Sequence, residues 1–192
     1  MTTVSIIYFS GAGHTAELAK SVEKGAISVS GVTTHLISIE GKDIIEGRYR
    51  NDEVMAKLDE SDAIIFGSPT YMGNISAQFK AFADATVSQW ASQKWKDKFA
   101  AGFTVSGTPS GDKAYTLQYL QTLAMQHAMI WISLGELPMQ PNGINRLASW
   151  GGAMAMANTE PVDIAPGKED KLTGEILGKR VANLALKFAA QQ

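Results

Sequence analysis

The 192-residue sequence predicts an α/β three-layer sandwich in which five parallel strands, in the order 2-1-3-4-5, carry helices on both faces. Three observations predict it. Short apolar runs alternate with amphipathic helical stretches along the chain, the runs are short enough for strands, and three of them end abruptly in loops of small residues. No shift in composition divides the chain, so it is read as a single domain, 1–192.

The first strand, Val4 to Phe9, is apolar, β-branched and aromatic, as a strand buried on both faces should be. Ser10-Gly11-Ala12-Gly13-His14 follows as a turn, and Thr15 opens a helix whose apolar positions Ala19, Val22, Ala26 and Val29 recur at spacings of three and four. Thr33–Ile39 alternates enough to be the second strand, near an edge, and the mid-strand His35 reads as structural. Gly41–Arg50 is polar and irregular. Asn51–Glu60 reads as a short helix with Val54, Met55 and Leu58 inward, ahead of the third strand, Ala63–Phe66. That strand exits through Gly67–Asn74 into a helix from Ser76 to Ala91, with Phe79, Phe82, Ala83 and Val87 on its buried face.

Lys94–Lys98 is a polar connector, and Phe99–Val105 is the fourth strand. Its exit loop, Ser106–Asp112, leads to a helix from Lys113 to Met125 with Leu117, Leu120, Leu123 and Ala124 inward. Met129–Leu134 is the fifth strand, which puts Trp131 in the core. Gly135–Asp170, dense in glycine and proline, supports no regular assignment. A last helix, Leu172–Phe188, carries Leu177, Val181, Leu184 and Phe188 on one face.

In a parallel sheet every strand ends at the same edge, so the loops after the first, third and fourth strands meet there. Ligands of open α/β sheets bind where strand order reverses, here between strands one and three. The loops differ in chemistry. The first passes into a helix N-terminus, where unpaired N–H groups and about half a positive charge can hold an anion without lysine or arginine, and none lies between Met1 and Lys20. The hydroxyls of Ser10 and Thr15 are further donors. It has neither the lysine of a Walker A loop nor the three glycines of GxGxxG. The second loop offers Tyr71, Met72 and a Gly73-Asn74 end that can flank a flat ring. The third is rich in backbone N–H groups and hydroxyls, suited to a pyrimidine edge on which negative charge develops. A phosphate at one end and a planar heterocycle at the other describe a mononucleotide; the plainer reading is three ordinary strand-to-helix turns.

Composition narrows the alternatives. A net charge of −2 with no long basic run argues against nucleic acid. With no cysteine, disulfides, thiolate metal sites and thiol catalysis are excluded. His14, His35 and His127 are too scattered for a metal site. Nothing resembles a signal peptide or a membrane span of about 20 apolar residues, so the expected location is the cytoplasm. Gly107-Thr-Pro-Ser-Gly does not fit the GxSxG nucleophile elbow of a serine hydrolase.

SGAGHT after the first strand, IIFGSPTYMGN at the third and SGTPSGD at the fourth together resemble the FMN-binding loops of the flavodoxin-like family, most of all WrbA-type NAD(P)H:quinone oxidoreductases and NADPH-dependent FMN reductases. Flavodoxin is itself a standing instance of a ligand bound at this strand-order reversal. QWASQKWKDKF and LAMQHAM add to the resemblance, which spans about the first 135 residues, with a weaker echo in SWGGAMAMAN. It implies that Ser10, Gly11, Ala12, Gly13, His14 and Thr15 hold the FMN phosphate. Pro69, Thr70, Tyr71, Met72, Gly73 and Asn74 would border the isoalloxazine ring. Ser106, Gly107, Thr108, Gly111 and Asp112 would border its pyrimidine side and ribityl chain. It also implies that His127 is a catalytic histidine near the open flavin face and that Trp90 is a substrate-side aromatic from a neighbouring subunit, in a homodimer or homotetramer. The residues alone also allow His127 to be a buried or helix-end histidine and Trp90 a packing residue. The chain departs from the pattern at Gln126-His127, where relatives often pair histidines, and across Leu137–Ala165.

The function expected is hydride transfer from NAD(P)H through FMN to a quinone or similar acceptor. The first alternative is a flavodoxin-type carrier passing single electrons to protein partners, for which a net charge of −2 gives little steering. The second is a module that keeps the fold without flavin.

Overall fold

The computed structural model describes residues 1–190. β1 (Thr2–Tyr8) pairs in parallel with β2 (Val32–Ser38) on one side and β5 (Ala63–Tyr71) on the other, and β5 pairs with β7 (Phe99–Ser106). β8 (Ile130–Trp131) and β9 (Ala153–Met156) both lie in parallel on the far side of β7. Counting those two as one position, the order is the expected 2-1-3-4-5. α1 (His14–Ile27) and α6 (Lys168–Ala189) cover one face. α2 (Asp52–Glu60), α3 (Ala77–Ala85) and α5 (Lys113–Gln126) cover the other, so the core forms two apolar layers around the sheet.

The fifth strand is the main departure from expectation. Ile132 N–H still donates to the Ala100 carbonyl at 2.7 Å, but the chain then leaves the sheet, its Leu134 N–H donating to the Trp150 carbonyl at 3.2 Å. It returns as β9 beside Phe103–Ser106, inside the segment that supported no assignment. The changeover falls where a Cβ on Gly152 would strike the Gly102 carbonyl, so only glycine lets the returning strand come so close to β7. Trp131 is half-buried rather than core; its ring lies over Gly102 and its indole N–H donates to the Gly151 carbonyl at 2.9 Å.

Other boundaries shift as well. Gly41–Arg50 is not irregular throughout, since β3 (Ile44–Ile45) and β4 (Arg48–Tyr49) form a hairpin. β5 runs five residues past Phe66, its pairing with β7 continuing as far as Pro69, and the Phe103 ring fills the space that a side chain at Gly67 would need. The helix expected from Ser76 to Ala91 breaks at Thr86 into α3 and α4 (Val87–Ala91). There Thr86 Oγ1 donates to the Ala83 carbonyl at 2.8 Å, and Val87, expected inward, is 63% exposed. α6 starts four residues before Leu172 and buries Leu177, Val181, Ala182 and Ala185, leaving Phe188 41% exposed with its ring edge-on to Phe99 at 5.5 Å.

That rotation of α6 follows from its glycines. Gly174 and Gly178 face α1, where Gly25 faces back, and a Cβ on Gly178 would collide with the Val22 carbonyl oxygen. The two backbones are in contact, so neither side chain nor rotamer can yield. Gly178→Ala is therefore expected to lower stability by about 2–3 kcal/mol despite its better helix propensity, checked by urea denaturation.

Candidate active site

At the carboxyl edge of the sheet a cleft of about 250 Å³ opens between β1 and β7. Its walls come from the three loops expected to meet there and from a fourth that was not expected. Ala12, His14 and Thr15 come from the first, Pro69, Thr70 and Tyr71 from the second, Val105, Ser106 and Gly107 from the third, and Ala157 and Asn158 from the exit of β9.

The first loop ends at Gly13, whose φ of 92° is left-handed backbone that a side chain would strain. Gly13, the N-cap residue, has no side chain to cap α1. Its first backbone bond is Glu17 N–H to the Gly13 carbonyl, at 3.1 Å, which leaves the N–H groups of His14 and Thr15 directed out of the helix end. Ser10 Oγ accepts Ala16 N–H at 3.1 Å and keeps its own proton to donate. His14 Nε2 donates to the Glu160 carbonyl at 2.8 Å, fixing the fourth loop against the first.

The second loop is a hairpin. Met72 and Gly73 both have positive φ, 48° and 78°, and join β5 to β6 (Asn74–Ile75) as a tight two-residue turn. Met72 is fully exposed at the tip, and the Tyr71 hydroxyl lies against Gly11 of the first loop. The Thr70 hydroxyl turns inward, within 2.8 Å of those of Thr104 and Thr116, so β5, β7 and α5 are tied together directly beneath the cleft.

The third loop curls back through left-handed Gly111 and Asp112, with Thr108 and Ser106 packed under Gly111. Lys113 holds this curl from below. It is 0% exposed, and its Nζ donates to Ser106 Oγ and the Thr108 carbonyl, both at 2.6 Å, and to the Pro109 carbonyl at 3.0 Å. Burial pushes its ammonium down to about 8, against a smaller pull from Asp170.

The fourth loop is anchored by Asp170 of α6, which is almost fully buried. Arg146 Nε and Nη2 donate to its two oxygens at 2.7 Å each, and Met156 N–H at the end of β9 donates to Oδ2 at 2.9 Å. Asn145 closes the 135–152 excursion, its amide donating to the Glu136 carbonyl at 2.8 Å and its Oδ1 accepting Ser149 N–H at 2.7 Å.

The structure thus gathers Ser10 to Thr15, Pro69 to Asn74, and Ser106, Gly107, Thr108, Gly111 and Asp112 around one edge. It does not bring His127 or Trp90 there. His127 sits just past the far end of α5, about 20 Å from Lys113, and Trp90 lies within α4. His127 is 3% exposed, hydrogen-bonded through Nε2 to Thr86 Oγ1 at 2.8 Å and stacked on Trp95 at 4.5 Å, and burial lowers its pKa. Trp90 is half-exposed. Neither reaches the cleft of its own chain. Lys113, Ala157, Asn158 and Glu160 were missed; the Ala-Met-Ala-Met alternation before Ala157 was the available signal for a strand end. Among the described residues there is no cluster that would hold a metal ion.

Fold and cleft define a flavodoxin-like α/β protein with an open cleft at the strand-order reversal. The chain belongs to the NADPH-dependent FMN reductase family, whose model matches residues 4–140, and FMN is the cofactor of that family. It is 34% identical over 195 residues to the flavodoxin FldP of Pseudomonas aeruginosa, covering 99% of this chain and all of that one. It is 35% identical over 150 residues to the quinone oxidoreductase QR2 of Triphysaria versicolor, covering 70% of each. Among solved structures it resembles a WrbA-like flavodoxin from Agrobacterium tumefaciens, with 40% identity, a TM-score of 0.75 and coverage of 97% and 99% of the two chains.

The residues present fit FMN. A helix end with the His14 and Thr15 N–H groups unpaired suits its phosphate, an open cleft bounded by Pro69 and Tyr71 suits its ring, and a polar loop over a buried cation suits its pyrimidine edge.

Proposed function

We propose that this protein transfers two electrons as hydride from NAD(P)H through FMN to a quinone-like small molecule. The observation that carries the reading is the polarity of the cleft, with free helix N–H groups at one end and the Lys113-braced donor loop at the other. When bound, FMN supplies the redox chemistry. The N–H groups of His14 and Thr15 and the hydroxyls of Ser10 and Thr15 take the phosphate. Gly11, Ala12 and Gly13 let it approach the backbone. Pro69, Thr70 and Tyr71 fix the plane of the ring, and Met72, Gly73 and Asn74 border its rim. Ser106, Gly107, Thr108, Gly111 and Asp112 line the pyrimidine and ribityl side. Trp90, half-exposed, enters the site only from a second copy of the chain, in a homodimer or homotetramer, whereas His127, buried against Thr86 and Trp95, does not reach it.

No helix among the described residues is long and apolar enough to cross a membrane, and a cytoplasmic protein with small-molecule partners is the matching reading. A carrier of single electrons is the second reading, favoured by the full-length likeness to a flavodoxin. Initial rates with NADPH and benzoquinone separate them. Parallel double-reciprocal lines are expected for alternating reduction and reoxidation of one site. FMN-loaded protein that reduces no quinone, yet gives a stable one-electron-reduced flavin with dithionite, would establish the carrier.

A further inference from the structure

Lys113 is a buried cation without an anion. Its three protons are satisfied by neutral oxygens of Ser106, Thr108 and Pro109, and no carboxylate forms an ion pair with it among the described residues. Two charged groups act on it from neighbouring elements, Asp170 of α6 and Arg146 of the 135–152 excursion, and these already neutralise each other. Asp112, beside it on its own loop, is exposed. The lysine also stands at the first position of α5, where the helix end adds positive potential of its own. A buried charge left in this way costs stability unless something else in the working protein compensates it.

Resting on the function proposed above, we infer that Lys113 is a redox-positioning residue whose buried charge selectively stabilises the anionic two-electron-reduced flavin held over the 106–112 loop. The charge balance supports this. Oxidised flavin carries a neutral ring; taking a hydride, two electrons and one proton, from NAD(P)H leaves NAD(P)⁺ and a ring with one negative charge at its pyrimidine end. Lys113 is held against the oxygens of the loop proposed to border that end. By drawing on the Pro109 carbonyl it also polarises the Ser110 N–H of the same peptide, a stronger donor toward a developing anion. It touches neither ring nor substrate and acts through the loop and through its field.

The test is the two-electron midpoint potential, with Lys113→Met as the variant that keeps the length of the side chain and removes its charge. Affinity for oxidised FMN is expected to stay within about threefold, because the oxidised ring carries no charge to interact with. Affinity for reduced FMN is expected to fall about tenfold or more, which lowers the potential by about 30 mV per tenfold. Equal loss of affinity for both forms would show that the lysine serves the phosphate or merely shapes the loop, and would overturn the inference.

The unmodified protein gives a second readout that needs no variant to fold. A neighbouring anion raises an ammonium's pKa, so the value rises from about 8 toward its ordinary range on reduction. Between those two pH values reduction takes up one additional proton, on Lys113 Nζ, and the potential falls more steeply with pH above about 8 than below. A slope that is unchanged across this range would overturn the inference and leave the function standing. Protein that takes up no FMN at all would overturn both.

Discussion

Arg146→Ala is expected to lower unfolding free energy by about 2–4 kcal/mol and to weaken FMN binding with it. Asp170 is 1% exposed and accepts both Arg146 nitrogens and the Met156 N–H. Without the guanidinium the buried carboxylate keeps one backbone donor, a loss tempered by water that can follow the partly exposed path of the Arg146 side chain. The damage is local as well as global. Met156 ends β9, and Ala157 and Asn158, next in the chain, line the cleft. A charge-free replacement of both partners, Arg146→Met with Asp170→Leu, should recover much of the loss, which chemical denaturation of the single and double variants measures.

Ala12→Asp is expected to weaken FMN binding by about a hundredfold or more while riboflavin, which lacks the phosphate, binds as before. Ala12 is exposed in the first loop and lines the cleft beside the free N–H groups of α1. The helix end favours one anion, and an aspartate supplied by the chain takes that place. Two like charges about 4 Å apart at an effective dielectric of about 20 repel by about 4 kcal/mol. Titrations of apoprotein with FMN and with riboflavin check this, since only the phosphate arm should change. Equal loss with both ligands would place the phosphate elsewhere.

Three of the four cleft loops were legible because they follow from local signals, and the strand order is one that five strands alternating with helices suit. Val4–Phe9, Ala63–Phe66 and Phe99–Val105 each stop at small residues, and a parallel sheet then aligns the loops at one edge. The fourth loop was not legible. β9 is four residues of alanine and methionine, too short to announce itself, and its place is fixed by Gly152 against Gly102 and by Asp170 fourteen residues after Met156. Lys113 was hidden for a different reason. A lysine at the start of a helix reads as a surface residue, and only the curl of Ser106–Asp112 over it reveals three oxygens converging on its Nζ. The break at Thr86 and the turn of α6 likewise come from long-range contacts, with His127 and with Val22, that no window of sequence contains.

The central claim is that hydride from NAD(P)H reaches FMN in this cleft and leaves for a small acceptor. Anaerobic titration of the FMN-loaded protein with NADPH, followed by benzoquinone, tests it most directly. One equivalent of NADPH per flavin should bleach the oxidised spectrum with no accumulating one-electron-reduced species, and one equivalent of benzoquinone should restore it. A flavin that NADPH leaves oxidised, in protein that holds FMN at one per chain, would contradict the account.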